Sequence, residues 1–453
     1  MRTSREANLQ GPHAGTGRTY AGLVTSNFMT LFLIASSGVY TASAMTEFNA
    51  MHLLGAAFTL ESLALCIILP LAANLGNRLG RRRLFLAALA AYTGATVICA
   101  MAASGAWFVA GRTVMGAAWG LFMGNTFALV ADLYPPGLAT RRTGQMQAAG
   151  LVAMVGAAPV AGLFADLITW RAAFWVAVPA LVAAWLLVAT GRVAVGRGPA
   201  GPVDIVGVVC LAGVLTPFSC TMAWAGTAFP WASVTTVVLL GISLLCLVAL
   251  VVVERRVRDG IFPVAVLANR PFLAVFGVTV LSALAGATGN FLPAFAQQVL
   301  GTSATVSGLV GMPGLGLAAV GASLLGRYLA ARQRYRAVVA GWAGVLAGVT
   351  CLYFTFGPHT ALILVFIAGT LMGVAQTGAQ VVPYTFPMLA LKPDLVPSGI
   401  ALMTFGGTAA NTVGAALLSA VAATGLTDTF RFAIIFGAAA LIIAAFFRDP
   451  PTR

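Results

Sequence analysis

Two ionisable residues, Glu61 and Arg112, stand within long apolar stretches of the sequence. A carboxylate near the centre of a membrane-spanning helix costs about 2.5 to 3.5 kcal/mol on insertion scales, so such a residue usually carries a function. Glu61 is the only acidic residue placed deep inside such a stretch. A Glu61–Arg112 pair could be broken and remade as Glu61 takes up and releases a proton. A static buried ion pair, or a Glu61 that faces water without coupling, would explain the same two residues.

Pairing requires the two side chains to reach a similar depth. Counted from the predicted outer ends of their helices, Glu61 and Arg112 differ in depth by about 6 Å at 1.5 Å per residue. Side-chain length and helix tilt can span that difference. We therefore predict that these two residues couple protons to a conformational change.

The composition places the chain in a membrane. Hydrophobic residues make up 60% of it and charged residues only 8%, whereas about a quarter of the residues of a soluble domain are charged. A spanning helix needs about 20 apolar residues. This predicts an all-α polytopic membrane protein, with the lipid bilayer as its partner, and fourteen spans at residues 22–43, 52–75, 84–104, 107–131, 144–167, 172–191, 204–226, 232–253, 272–295, 305–330, 335–356, 359–382, 397–421 and 430–447.

The net charge of +14 would suggest a nucleic-acid partner in a soluble protein, but here the basic residues indicate topology. With the N-terminus taken as cytoplasmic, 22 of the 25 arginine and lysine residues fall on inner segments. The three exceptions are Arg112, Arg171 and Arg431. The positive-inside rule then predicts a cell-membrane protein with both termini cytoplasmic and no nucleic-acid partner. The first 20 residues are polar, so we expect no cleaved secretion signal.

The sequence offers little for an enzyme. All six cysteines fall within predicted spans, and none has metal-ligand spacing with a histidine. The three histidines lie at or beyond helix ends. We therefore expect no catalytic residue, no metal and no cofactor.

Segments rich in glycine, proline or arginine divide the predicted helices into six, two and six, at residues 191–204 and 254–271. Two equal bundles suit a transporter that rocks around a site at the bilayer midplane, and a packed bundle without a pathway is the alternative. The predicted parts are a cytoplasmic segment at 1–21, a six-helix bundle at 22–200, two extra helices at 201–258 and a second six-helix bundle at 259–453.

The turn after the second predicted helix reads LGNRLGRRR from residue 75 to 83. It resembles the helix 2–3 loop of the major facilitator superfamily, in which glycine, leucine, aspartate and arginine precede a glycine and further basic residues. The resemblance implies a cytoplasmic latch formed by Asn77, Arg78, Gly80 and Arg81, whose charges pair with a neighbouring helix end. Asn77 stands where the family usually has aspartate, so we expect a weaker latch.

Other runs are similar to the fourteen-helix drug:proton antiporter branch of that superfamily. Residues 111–124, GRTVMGAAWGLFMG, match its helix-four pattern, and residues 169–179, TWRAAFWVAVP, match its helix 5–6 junction. The resemblance implies a major facilitator fold with two six-helix bundles and two extra helices, fourteen in total. Many members carry an aspartate in helix one, and its absence here weakens the expectation of a cationic substrate.

Small residues at regular spacing predict close helix contacts. Gly116 and Gly120 form a smooth ridge on helix four. Gly156 and Gly162 belong to the part of helix five that resembles the antiporter signature, and Pro159 between them permits a bend. We expect these residues to shape moving helices, with plain packing favoured over any contact with substrate.

Neutral polar and aromatic side chains within the spans are the candidates for a substrate pocket. A mostly apolar cavity with a few polar anchors suits a small amphipathic organic molecule, although amide side chains can also simply hold helices together. The candidates are Asn27, Ser37, Tyr40, Trp119, Asn125, Asn290, Phe291, Gln297, Gln376, Gln380 and Asn411.

The function that follows is a monomeric secondary active transporter of the cytoplasmic membrane. We expect it to export small amphipathic drugs or natural products in exchange for protons. Two alternatives stay open: an uncoupled facilitator or uptake carrier for a neutral metabolite, and a non-transporting membrane receptor or assembly partner.

Overall fold

The computed structural model describes residues 16–191, 205–225, 229–256, 266, 268–332, 334–392, 395–422 and 425–447. Over these ranges the chain forms eighteen α-helices, numbered α1 to α18, with two short 3₁₀ turns. The prediction of an all-α membrane protein is confirmed.

The first group of helices precedes residue 192. Its bounds are α1 (Thr16–Ala35), α2 (Ser37–Glu47), α3 (Leu54–Leu79), α4 (Arg81–Ala100), α5 (Gly105–Leu133), α6 (Pro136–Leu167) and α7 (Ala172–Thr190). Helices α1 and α2 follow one another with a bend of 55°. Within the group, α5 packs along α3 and α4, while α1 packs along α6 and α7.

The rest of the described chain supplies a central pair and a second group. The central pair is α8 (Ile205–Trp224) and α9 (Val234–Arg256). The second group is α10 (Arg270–Gly286), α11 (Leu292–Gln298), α12 (Ala304–Leu309), α13 (Met312–Arg332), α14 (Tyr335–Tyr353), α15 (Leu362–Ala390), α16 (Val396–Ala422), α17 (Leu426–Phe432) and α18 (Ile434–Phe446).

The central pair bridges the two groups through one helix. Helices α8 and α9 pack against each other, and α8 also contacts α3 of the first group and α16 of the second. Leu211 and Leu215 of α8 belong to a buried apolar cluster with Leu63 and Cys66 of α3. Helix α8 therefore covers the line along which α3 meets α16.

Twelve helical segments of the described chain are long and apolar enough to cross a membrane, or up to thirteen if α1 and α2 together make one bent span. Residues 206–222 of α8 form a shorter apolar helix. Each of the fourteen predicted stretches contains helix, but fourteen membrane crossings stay a prediction. The predicted part limits near residues 200 and 258 lie outside the described residues, as do both chain ends.

The helix bundle has two ends. The α2–α3 end is where α2 ends and α3 begins, and the α3–α4 end is where α3 ends and α4 begins. Hydrogen bonds gather the first group at the α2–α3 end, where the Trp170 indole nitrogen donates to Glu47 at 2.6 Å and the Arg171 guanidinium donates to the Ala102 carbonyl at 3.0 Å.

Local chemistry fixes several helix boundaries. The Ser104 hydroxyl accepts a hydrogen bond from the Trp107 backbone N–H at 3.3 Å and begins α5, because a hydroxyl at this position satisfies an otherwise unpaired helix N–H. Asn269 caps α10 in the same way through Phe272. Between α3 and α4, Gly80 has a φ of 92°, a conformation that a side chain disfavours.

The predicted glycine ridge of α5 lies against α3. A Cβ atom at Gly116 would overlap the backbone carbonyl of Glu61, and a Cβ atom at Gly120 would lie 3.1 Å from the Leu65 carbonyl oxygen. The ridge therefore lets the α5 backbone approach α3 at the level of Glu61. This close approach is what brings Arg112, one turn earlier on α5, within reach of that carboxylate.

Gly116→Ala is expected to destabilise the protein by about 1–3 kcal/mol, because the added methyl group must push two packed helix backbones apart. Thermal unfolding of purified protein in detergent measures the change. Gly156→Ala is the matched control, since a Cβ atom there meets nothing within 4 Å and alanine favours the helix by about 0.5–1 kcal/mol. Equal unfolding temperatures for the two variants would contradict this account of the ridge.

Candidate functional site

A cavity of about 400 Å³ lies between the two groups of helices. Helices α1, α2, α3 and α5 supply one wall, and α10, α15 and α16 supply the other. Its lining residues are Ile34, Ser37, Phe58, Glu61, Ser62, Leu65, Trp119, Thr279, Ala283, Asn290, Gln376, Ala379, Pro383, Tyr384, Met403, Thr404, Gly407, Thr408, Asn411 and Thr412.

An ion pair between Arg112 and Glu61 stands at the wall of this cavity. One terminal nitrogen of Arg112 donates to Glu61 Oε2 and also to Ser37 Oγ, the latter at 2.6 Å, and the other donates to the Tyr40 hydroxyl. The guanidinium carbon lies 5.3 Å from the centre of the Tyr40 ring and 5.8 Å from that of Phe58. Arg112 is thus held by an anion, two hydroxyls and aromatic rings, which together offset its burial.

The two partners differ in their access to the cavity. The Arg112 side chain is fully buried, whereas 14% of the Glu61 side chain is exposed, and Glu61 alone of the two lines the cavity. A proton can therefore reach the carboxylate from the cavity side. Protonation would remove the anionic partner of a guanidinium that has lost its water, which is a strong electrostatic change at one point of the wall.

Five of the predicted pocket residues line the cavity: Ser37, Trp119, Asn290, Gln376 and Asn411. They come from α2, α5, the 3₁₀ turn after α10, α15 and α16. Distant parts of the sequence are thus brought together around Glu61. The Asn411 amide also donates to the Ala283 carbonyl at 3.4 Å.

The other six candidates lie outside the lining. Tyr40 holds Arg112. The Asn125 amide donates to the carbonyls of Ala72 and Leu121 at 3.0 and 2.9 Å, so it links α5 to α3. Phe291 is buried against Phe58, with ring centres 5.6 Å apart.

Gln297 accepts from Ser43 at 3.3 Å and donates to Ser307 at 2.9 Å, which joins α11 to α2 and α12. The Asn27 amide donates to the Met146 carbonyl at 3.4 Å. Gln380 is exposed, and it faces away from the cavity.

Sequence reasoning missed a row of threonines on α16. Thr404, Thr408 and Thr412 recur every fourth residue and all line the cavity, because positions four apart share one face of a helix. The Thr404 and Thr408 hydroxyls donate to the carbonyls of Ile400 and Thr404, at 2.9 and 3.0 Å. Their donors are therefore used within the helix and their oxygen lone pairs remain for a ligand. The four-residue spacing was the signal that could have identified them.

The loop that resembles the family latch forms a compact network at the α3–α4 end. Two nitrogens of Arg81 donate to the Asn77 side-chain oxygen at 3.2 and 3.0 Å. The third guanidinium nitrogen donates to both carboxylate oxygens of Asp132, at 2.8 and 3.0 Å. Arg78 is exposed on the last turn of α3. The amide of Asn77 thus orients Arg81 toward the end of α5, and Asp132 supplies the negative charge.

Of the two helix-five glycines predicted to make close helix contacts, Gly162 of α6 lies where the two groups meet, whereas a Cβ atom at Gly156 would meet nothing within 4 Å. A Cβ atom at Gly162 of α6 would overlap the Ala304 carbonyl, and one at Gly308 of α12 would overlap the Ala158 carbonyl beside Pro159. Because proline has no N–H, α6 can bend at this point. Helices α6 and α12 therefore approach each other closely through Gly162 and Gly308.

Polar contacts also join the groups toward the α2–α3 end. The Asp166 carboxylate of α6 accepts hydrogen bonds from the backbone N–H groups of Ala304 and Thr305, at 2.9 and 2.8 Å. The hydroxyls of Thr59 and Ser419 lie 3.2 Å apart across α3 and α16. The cavity lining extends from these contacts toward the α3–α4 end, where it reaches Tyr384.

Asp166→Asn is expected to weaken closure of the α2–α3 end by about 1.5–3 kcal/mol, because an amide keeps one acceptor and places an N–H₂ group against a backbone donor. Double electron–electron resonance measures the distances between spin labels at exposed Met101 and Ile435, in a variant without native cysteines. The Asp166→Asn variant should show a larger share of long label-to-label distances. Asp428→Asn is the control, since Asp428 pairs with Arg431 of its own helix. Unchanged distances in Asp166→Asn would refute the closing role.

Comparison with known proteins identifies relatives along most of the chain. The sequence model of the Major Facilitator Superfamily matches residues 22–390. An uncharacterized MFS-type transporter of Mycobacterium tuberculosis (strain ATCC 25618 / H37Rv) is 30% identical over 271 residues, which are 58% of this chain and 39% of that relative. The match thus spans well under half of that relative. The multidrug transporter protein MdtP of Bacillus subtilis (strain 168) is 24% identical over 426 residues, 90% of this chain and 76% of MdtP.

The fold is similar to that of solved transporters. A crystal structure of peptide transporter POT in complex with sulfate superposes with a TM-score of 0.70 at 15% sequence identity, covering 97% of this chain and 95% of that one. At this identity the likeness concerns the fold alone. Among the residues that the structure describes, no group of three or more His, Cys, Asp or Glu side chains lies close enough to hold a metal ion.

Proposed function

Because the chain belongs to the Major Facilitator Superfamily, we propose that it is a secondary active transporter that exports small amphipathic drugs or natural products by proton antiport. Relatives named as a multidrug transporter and as efflux pumps support the exporter class. The observation that carries the proposal is the Glu61–Arg112 pair, which stands at the wall of a cavity between two groups of helices.

The lining indicates the class of substrate. A volume of about 400 Å³ lies within the range of about 300–1,000 Å³ that small-molecule pockets occupy. Phe58, Trp119 and Met403 offer apolar surface, while hydroxyl and amide groups offer hydrogen bonds. Glu61 is the single residue with a formal charge among these lining residues, and Arg112 already neutralises it. The cavity therefore suits an amphipathic molecule without a fixed positive charge.

The ion pair provides a route for coupling. With Glu61 ionised, the pair fixes α3 to α5 and, through Ser37 and Tyr40, to α2. A proton on Glu61 weakens this link, so the relative energies of the two cavity orientations change by the difference in proton affinity between them. Exchange of a proton for substrate requires only that one orientation of the cavity binds the proton more tightly and the other binds the substrate more tightly.

The arrangement of contacts supports an inward-facing loading state. We propose that the α3–α4 end faces the cytoplasm, as the predicted positive-inside topology requires, and that substrate enters the cavity past Tyr384. The contacts of Asp166 and Thr59 then hold the outer side closed. The helices would divide into bundles at 22–200 and 259–453, with 201–258 as the extra pair.

Inverted membrane vesicles test the proposal. A proton gradient, acidic inside, should drive accumulation of a fluorescent amphipathic compound, and a protonophore should abolish it. Vesicles from the same strain without the protein give the background. A growth-inhibition panel of toxic compounds, compared between expressing and non-expressing cells, selects the compound. Sensitivity unchanged across the panel, together with background accumulation, would remove the exporter assignment.

An uncoupled carrier for a neutral metabolite is the second candidate. The observation that favours it is that Arg112 donates to the hydroxyls of Ser37 and Tyr40 as well as to Glu61. These two hydroxyls can keep the guanidinium in place whatever the charge of Glu61. In that case substrate equilibrates across the vesicle membrane at the same rate with and without the protonophore. Accumulation above equilibrium that collapses with the gradient would exclude it.

A further inference from the structure

A second cavity lies on the second group of helices, away from Glu61. It has a volume of about 390 Å³ and lies between α13, α14 and α15. Its lining is apolar apart from one threonine hydroxyl and comprises Leu317, Val320, Gly321, Leu324, Leu325, Ala337, Val338, Gly341, Trp342, Val345, Val374, Thr377 and Gly378. Together these residues form the α13–α14 groove.

The α13–α14 groove opens onto the lipid-facing surface. Leu317, Val320 and Leu324 are 51%, 61% and 59% exposed, and they lie in the membrane-length segment Ala304–Leu329. A glycine at position 341 leaves the wall open, since a Cβ atom there would meet nothing within 4 Å. The medium that fills this groove is therefore hydrocarbon rather than water.

Two arginines stand at one end of the groove. The groove residues of α13 recur every three or four positions, and the same face continues through Tyr328 to Arg332, the last residue of the helix. Arg334 is the N-cap residue of α14, which supplies the opposite wall. Arg332 and Arg334 are both exposed.

Within the part of the chain that the structure describes, neither Arg332 nor Arg334 forms an ion pair. The sequence contains no aspartate or glutamate between Asp259 and Asp394. The groove therefore combines an apolar, lipid-facing surface with a positively charged end.

We propose that the α13–α14 groove binds one anionic phospholipid, with an acyl chain along the groove and the phosphate on Arg332 and Arg334. Bulk lipid tails are as apolar as the groove, so the acyl chain seats the lipid in the groove but does not select for its charge. Selectivity then comes from the headgroup, because basic pockets at helix ends favour anionic lipids and guanidinium groups bind phosphate oxygens in pairs. The groove wall fixes where the lipid lies.

Native mass spectrometry of the purified full chain tests the site. The protein is offered equal amounts of phosphatidylglycerol and phosphatidylcholine with the same acyl chains, and the anionic lipid should be retained preferentially. Each of Arg332→Gln and Arg334→Gln should lower phosphatidylglycerol affinity about fivefold, and the double variant about 25-fold, from about 1 kcal/mol per arginine. Phosphatidylcholine binding should not change.

Two further variants separate the parts of the proposal. Arg336→Gln removes the same charge from the opposite face of α14 and should leave the preference intact. Gly341→Leu fills the groove without touching the arginines and should reduce binding of the lipid, whereas soluble glycerol phosphate should not compete for the site. Equal retention of the two lipids by the unmodified protein, equal losses in Arg334→Gln and Arg336→Gln, or full binding by Gly341→Leu would each overturn it.

Discussion

Glu61→Gln is expected to reduce transport driven by a proton gradient to the level of vesicles that lack the protein. The amide keeps the size of the side chain and can still accept a hydrogen bond from Arg112, but it cannot bind and release a proton over the transport cycle. Accumulation of the test compound in inverted vesicles under an imposed pH gradient is the measurement. Protein content is matched by immunoblot.

Glu47→Gln is the matched control for this variant. Glu47 also pairs with an arginine, Arg171, with atoms 2.7 Å apart, but it is about half exposed and lies at the α2–α3 end. An exposed pair of this kind contributes about 0–1 kcal/mol, so transport should persist. Gradient-driven accumulation by Glu61→Gln at the rate of the unmodified protein would remove Glu61 from coupling and favour a different proton path or an uncoupled carrier.

Arg112→Met is expected to lower the free energy of unfolding by about 3–5 kcal/mol, because it leaves the Glu61 carboxylate without its buried partner. The double variant Glu61→Gln/Arg112→Met should recover most of that loss, since no unpaired charge remains. Thermal unfolding of the purified variants in detergent measures both changes. The non-additivity of the two substitutions gives the interaction energy of the pair.

Transport by the double variant separates the structural role of the pair from its coupling role. If the pair couples protons to export, the double variant should be stable yet fail to accumulate substrate under a pH gradient. Stability losses that simply add would show that Glu61 and Arg112 do not act as a pair. Gradient-driven accumulation by a stable double variant would assign the pair a purely structural role.

Much of the fold could be predicted because the bilayer constrains it strongly. Backbone groups cannot stay unpaired in hydrocarbon, so an apolar stretch of about 20 residues must become a helix. Helix is present in each predicted stretch. The exact count of crossings could not be predicted, because a stretch such as Val206–Met222 is short and the α1–α2 pair bends by 55°. Apolar composition does not encode such local geometry.

The candidate site was predictable where charge or periodicity marked it. A lone acid and a lone arginine at similar depth pointed to one another because each is costly in hydrocarbon unless paired, and the structure brings Glu61 and Arg112 together. The amides were harder, since Asn125 and Asn411 look alike in sequence. One links α5 to α3, and the other lines the cavity. The two roles differ because the rotation of each helix about its own axis decides whether its amide faces another helix or the cavity.

By itself the sequence determined that this protein is a helical membrane transporter of the Major Facilitator Superfamily, because hydropathy, charge distribution and loop signatures are local properties. The tertiary structure alone decided which polar side chains meet. It assembled Ser37, Trp119, Gln376 and Asn411 around Glu61 and placed Asp166 on the backbone of another helix. Such contacts depend on the packing of helices distant in sequence, which the pattern of any one helix leaves undetermined.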